Sequence, residues 1–114
     1  MNDKKSIAFI LASKGYDVWL GNHRGTKYAR NHVKLDPDTD QEYWKFSFVE
    51  MGEQDMPTSI NYVRNLTGVG KVSYIGHSQG TTQMFHGLAI NQEYWKRRVN
   101  VFIACAPVII PNQK

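Results

Sequence analysis

Gly76-His77-Ser78-Gln79-Gly80 lies where a strand-like run, Lys71 to Ile75, gives way to a helical pattern, Thr81 to Ile90. A serine at the centre of G-x-S-x-G on a strand-to-helix turn is held at φ > 0, which a non-glycine residue adopts only under constraint. Gly76 and Gly80 are expected to flank it because a Cβ at either position would collide where helix and strand pack closest. The strain lifts the Ser78 hydroxyl clear of the backbone. The helix start beneath it offers free N–H groups and a positive dipole end to a developing oxyanion. In this setting the pentapeptide reads as a nucleophile elbow rather than a glycine-rich turn.

The remaining pattern alternates around that turn. Ile7, Ile10, Leu11 and Lys14 follow helical spacing, with Asp3 as N-cap and Gly15 as the stop. Tyr16 to Leu20 reads as a short strand entering the glycine-bounded turn Gly21 to Gly25. Thr26 to Glu42, polar and holding Pro37, reads as a long surface excursion. Ser47 and Glu50 spell a capping box for a helix reaching about Thr67, kinked or restarted at Pro57 with Asp55 as a second cap. Thr81, Phe85, Leu88 and Ala89 form the expected inward face of the helix after the elbow. Asn91 caps a short helix through Arg98. Val99 to Ala106 is apolar enough for a parallel strand buried on both faces. The order helix, strand, helix, strand, helix, helix, strand predicts an α/β fold built on a parallel sheet.

With 114 residues the chain makes one domain at most. Its net charge of +4 is dispersed, only Lys96-Arg97-Arg98 being adjacent, which argues against a nucleic-acid partner. The longest apolar run, Val101 to Ile110, is interrupted by Pro107 and falls short of the ~18 residues of a transmembrane segment. Lys4 and Lys5 before Ile7 to Ala12 imitate a signal peptide, but the apolar stretch is shorter than the usual ~7–15 residues, so none is expected in this chain. Cys105, the sole cysteine, reads as a buried small hydrophobe and excludes an internal disulfide. The four histidines and Cys105 show no metal-ligand spacing, and neither metal nor cofactor is expected.

Three segments carry a family resemblance: Gly15-Tyr16-Asp17-Val18-Trp19-Leu20-Gly21-Asn22 with Arg24-Gly25; Trp44, Phe46-Ser47-Phe48 and Glu50-Met51; and Tyr74 to Thr82. Together they resemble the gastric and lysosomal acid lipases of animals, in the α/β-hydrolase superfamily, from about Ser6 to Pro107. The resemblance implies a partial α/β-hydrolase fold, a parallel sheet with flanking helices that is incomplete at both ends. Residues 1–114 would form the central part of one catalytic domain, including the elbow. It implies a lipid ester substrate, acylglycerol or steryl ester, hydrolysed through a serine acyl-enzyme at a lipid–water interface. The compartment implied is secreted or lysosomal.

Carried over by position, Ser78 matches the nucleophile and Gln79 the residue whose backbone N–H donates to the oxyanion. His23 stands where the family has a small serine. The family's His-Gly-Leu segment, which gives the second oxyanion N–H, is expected before Met1, together with the strand between Tyr16–Leu20 and Lys71–Ile75. The triad's acidic residue and histidine follow the serine in the family and are expected beyond Lys114. On that reading the chain alone is nearly inert. Two alternatives stay open: a truncated, non-catalytic product that binds lipid or a partner, and a non-lipid esterase or thioesterase on the same scaffold.

Local substitutes for the missing base are poor. His86 is eight residues along the same helix from Ser78, ~12 Å at helical rise. His23 should emerge at the C-terminal strand edge, but ~10 Å from the elbow if a strand intervenes. His23 and His32 read as loop hydrogen-bonders and His86 as a helix-surface residue, while His77 has no assignable role. Arg24 reads as structural, pinning loop carbonyls or an aspartate such as Asp55. Trp19, Trp44, Phe46 and Phe48 read as core rather than as an acyl pocket. Asn65-Leu66-Thr67 is a glycosylation sequon at a helix end.

Overall fold

In the computed structural model, which describes residues 5–109, the chain enters helix α1 (Ile7–Ser13) from Ser6. It turns out of the helix at Gly15, whose φ of 89° suits glycine alone. The expected Asp3 cap lies outside the described residues. Tyr16 to Leu20 joins no sheet, which corrects the strand expected there. A strand is held by ladder bonds to a neighbour, and among the described residues none runs alongside. Tyr16, Trp19 and Leu20 stay exposed, with Trp19 in an edge-to-face contact with Tyr62 at 6.2 Å between ring centroids.

The excursion that follows is tied locally. Arg30 pairs with Asp38, the Asp36 amide donates to Asp40, and His32 Nδ1 accepts from the amides of Lys34 and Leu35. A 3-10 turn, Gln41–Trp44, buries Tyr43. The capping box then forms: the Ser47 amide donates to the Glu50 carboxylate at 2.7 Å, and the Ser47 hydroxyl accepts from the Val49 amide at 3.1 Å. It opens α2 (Phe48–Glu50).

Pro57 does not break this helix. The backbone widens through a π-helical turn, Met51–Asp55, and continues as α3 (Met56–Thr67). Proline lacks the N–H that would close the regular ladder, and the wide turn ahead of it absorbs that loss. Asp55 keeps helical angles (φ −67°, ψ −47°) and makes no cap bond, so the expected second cap is absent. Gly68, at φ 75°, ends α3.

Strands β1 (Val72–His77) and β2 (Val99–Cys105) pair in parallel, Tyr74 facing Phe102 and His77 facing Cys105. Between them run α4 (Gln79–Ile90) and α5 (Gln92–Lys96), the latter capped by the Asn91 side chain and ending two residues before Arg98. One sheet face, through Val72, Tyr74, Val99 and Phe102, packs on a core of Met56, Ile60, Met84 and Trp95. The opposite face leaves Ile75, Val101 and Ile103 at 39%, 48% and 46% exposed. Strand β2 is therefore covered on one face, where its apolar run led us to expect two.

Helix α4 buries Thr81, Thr82, Gln83, Met84 and Gly87, while Ala89 of the expected stripe is exposed. The cause is crowding on two sides. A Cβ on Gly52 of the π turn would lie 2.9 Å from the Gln83 carbonyl oxygen, and one on Gly87 would lie 2.7 Å from the Trp95 indole nitrogen. A helix wedged between the sheet and another helical segment buries more than one stripe.

Candidate active site

Ser78 occupies the single position between β1 and α4, at φ 51° and ψ −116°. Those angles are costly for a residue with a Cβ and persist only where neighbours over-determine them. Here the backbone is pinned on both sides. The Ser78 amide donates to the Cys105 carbonyl at 3.0 Å, and the Ser78 carbonyl accepts from the Thr81 amide at 2.9 Å and the Thr81 hydroxyl at 2.6 Å. The residue is exposed, and among the described residues none hydrogen-bonds its hydroxyl. Gln79 opens α4 and is exposed, so its N–H belongs to the first helical turn, which has no intrahelical acceptor.

The two glycines of the pentapeptide do different things. A Cβ on Gly76 would lie 2.9 Å from the Gly80 carbonyl carbon and oxygen and 3.0 Å from the Thr81 nitrogen, so β1 and α4 touch backbone to backbone. A Cβ on Gly80 would meet only the Tyr74 hydroxyl, at 3.5 Å, an ordinary contact. The collision expected at Gly80 is therefore absent; its backbone is what Gly76 closes on. Its carbonyl also accepts from the Tyr74 hydroxyl at 3.0 Å. Burial pushes the Tyr74 phenol up to about 12, which keeps it a donor.

Two threonines behind the elbow reach further than sequence reasoning foresaw. The Thr81 hydroxyl accepts from the Val108 amide at 3.0 Å, and the Thr82 hydroxyl donates to the Val108 carbonyl at 2.8 Å. The sequence marked Thr81 as part of the inward helix face and gave it no hydrogen-bonding role. The available signal was polarity: two consecutive threonines at buried helix positions need hydrogen-bond partners.

The histidines are dispersed. His77 is exposed at the end of β1. His86 is no free surface residue: its Nε2 lies 2.9 Å from Glu53 Oε1 and its ring meets Phe48 edge-on. His32 is occupied by loop amides. His23 is half-buried with Nδ1 sheltered from water and without a partner, and burial lowers its pKa against a smaller upward pull from Asp55. Among the described residues, no histidine is bonded to Ser78.

Arg24 spends its donors on the π turn. Its Nε and Nη2 grip Asp55 at 2.9 and 2.6 Å, its own amide adds a bond at 2.9 Å, and Nη2 reaches Gln54 Oε1 at 2.8 Å. The hydrogen bond with Asp55 raises the arginine's pKa further. Its guanidinium also stands 5.9 Å from the Phe46 ring centre. Trp19 and Trp44 are 44% and 47% exposed and are not core. Asn65 is exposed on the last turn of α3, and Cys105 is a half-buried free thiol. Among the described residues, no cluster of three or more His, Cys, Asp or Glu side chains is placed to hold a metal, and no helix is long and apolar enough to cross a membrane.

A family model of the alpha/beta hydrolase fold matches residues 5–113. The chain is 48% identical over 104 residues to lipase member K of Homo sapiens, a match covering 91% of this chain and 26% of that protein. It is 46% identical over 105 residues to the gastric triacylglycerol lipase of Bos taurus, covering 92% of this chain and 26% of that one. It is 47% identical over 104 residues to the lysosomal acid lipase/cholesteryl ester hydrolase of Macaca fascicularis, covering 91% and 26%. The chain thus spans about a quarter of the length of these relatives. The parallel strands, the helices packed on them and these matches lead to one conclusion: the chain belongs to the α/β-hydrolase fold family and is acid-lipase-like within it.

Proposed function

We propose that residues 1–114 are the central part of one α/β-hydrolase catalytic domain, with Ser78 as its nucleophile and acylglycerols or steryl esters as its substrates. The observation that carries this reading is an exposed serine at φ 51° on a strand-to-helix turn. Close similarity to proteins named as lipases supports the substrate class. The Ser78 oxygen adds to the ester carbonyl carbon and gives its proton to a base. The carbonyl oxygen becomes an oxyanion that accepts a hydrogen bond from the Gln79 N–H. Collapse expels the alcohol, whose oxygen takes the proton that the base received, and leaves an acyl-enzyme that water then splits to release the fatty acid.

The base and its carboxylate partner come, on this reading, from sequence outside this chain. His86 is committed to Glu53 and His32 to loop amides, and the relatives are about three and a half times as long. The gastric and lysosomal relatives support a secreted or lysosomal setting, where Asn65, exposed on α3, is a candidate glycan site. The test is to express the continuous reading frame that surrounds this segment, as wild type and as Ser78→Ala. Labelling by a fluorophosphonate and turnover of acylglycerol or steryl ester should both vanish in the variant. A Ser78→Ala protein that still labels and hydrolyses would refute the assignment. Turnover confined to short-chain esters or thioesters would move the substrate class away from lipid.

A further inference from the structure

Two non-glycine residues take positive φ among the described residues: Ser78 at 51° and Ala106 at 46°. They stand at matching places, one step beyond the paired residues His77 and Cys105 at the ends of neighbouring strands. The Thr81 hydroxyl links the segments that hold them. A hydroxyl has one proton to give and lone pairs to receive. Its proton goes to the Ser78 carbonyl, at 2.6 Å, and a lone pair takes the Val108 amide, at 3.0 Å. Thr82 completes the grip by donating to the Val108 carbonyl at 2.8 Å, so both backbone groups of Val108 are held by consecutive residues of α4. Thr81 is 0% exposed.

Helix formation does not call for this arrangement. Threonine is an indifferent helix former, and burying its hydroxyl is unfavourable unless it is bonded. A valine would fill the same space, but the Val108 amide would lose its acceptor and the strained Ser78 peptide one of its two donors.

We propose that Thr81 is a positioning residue for Ser78: through its hydroxyl, the loop following β2 holds the elbow in its strained conformation. This rests on the reading of Ser78 as the nucleophile, but its test reads backbone geometry, so either can fail without the other. The experiment is NMR on the isotope-labelled chain as wild type, Thr81→Val and Thr81→Ser. The one-bond Cα–Hα coupling of Ser78 distinguishes positive from negative φ. Amide exchange at Ser78 and Val108 is read against Tyr74 in the same sheet, which separates local loosening from global destabilisation. Thr81→Val should speed exchange at Ser78 and Val108 about fivefold relative to Tyr74, the worth of one net hydrogen bond. It should also shift the Ser78 coupling, and Thr81→Ser should restore both. An unmoved Ser78 in Thr81→Val, or a serine that fails to rescue, overturns the inference. If Thr81→Val does not fold, Thr82→Val loosens the same clamp from the loop side. A shifted Ser78 coupling there supports the relay, and an unchanged one overturns it.

Discussion

The amide of Ser78, one step beyond the last paired residue of β1, reaches the carbonyl of Cys105, the last paired residue of β2, at 3.0 Å. The strained residue is thus still on the parallel ladder when the chain turns into α4. The elbow is carried by the strand pair as well as by its own glycines, which gives the two glycines unequal importance.

Gly76→Ala should destabilise the chain by roughly 1–3 kcal/mol, since its Cβ meets backbone that cannot move aside. Gly80→Ala should be neutral or stabilising by up to about 1 kcal/mol, because its Cβ has room and alanine favours the helix. Urea melts of the two variants check this. Equal losses at both positions would contradict the backbone contact.

The isolated chain should hydrolyse esters no faster than its Ser78→Ala variant. Loss of the base alone costs ~10⁶ in kcat in serine hydrolases with a full triad. Side-by-side assays of the two purified chains decide it, and turnover that depends on Ser78 would mean that a local histidine serves as base.

Arg24→Lys should cost about 1–3 kcal/mol, because an ammonium cannot reproduce the fork that Arg24 sets on Asp55. Asp55→Asn should cost a similar amount. The pair is partly sheltered, with side-chain exposures of 31% and 13%, so added salt should weaken it little. A double-mutant cycle by thermal melting measures the coupling, and strictly additive losses would argue against it.

His23 predicts an acid-side decline in stability. Its folded-state pKa lies below the ordinary 6.5, chiefly through burial. Above 6.5 both folded and unfolded forms are neutral and the folded state keeps its full stability. As pH falls, the unfolded chain takes up a proton that the folded one resists, and stability drops until the folded value is passed. Melting temperatures of wild type and His23→Asn between about pH 7.5 and about pH 5 should diverge, the variant declining less. Parallel curves would show that His23 does not contribute.

The strand-to-helix turn at Ser78 was legible because its signature is local: five residues mark the turn, and distant neighbours then hold its strained angles. The capping box at Ser47 and the end of its helix near Thr67 were legible for the same reason. Tyr16 to Leu20 was misread because a strand is defined by its partner, and apolar alternation cannot say whether one is present. Asp55 looked like a cap because short acids favour helix starts, but Arg24, 31 residues away, claims its carboxylate. Trp19 and Trp44 carried the composition of a core without the neighbours that make one. Thr81 and Thr82 were missed as polar residues because Val108 meets them only after β2 has paired with β1.

The π turn at Met51–Asp55 sets the phase of everything after it. One surplus residue in a helix rotates the following turns by about 100° relative to an unbroken one. Met56 and Ile60 point at Met84 and Trp95 in that rotated frame, and Asp55 meets Arg24 in it. Deleting the exposed Gln54 alone would remove almost no mass and no core side chain. It would nevertheless swing the apolar side of α3 toward solvent, as a key cut correctly fails when inserted at the wrong angle.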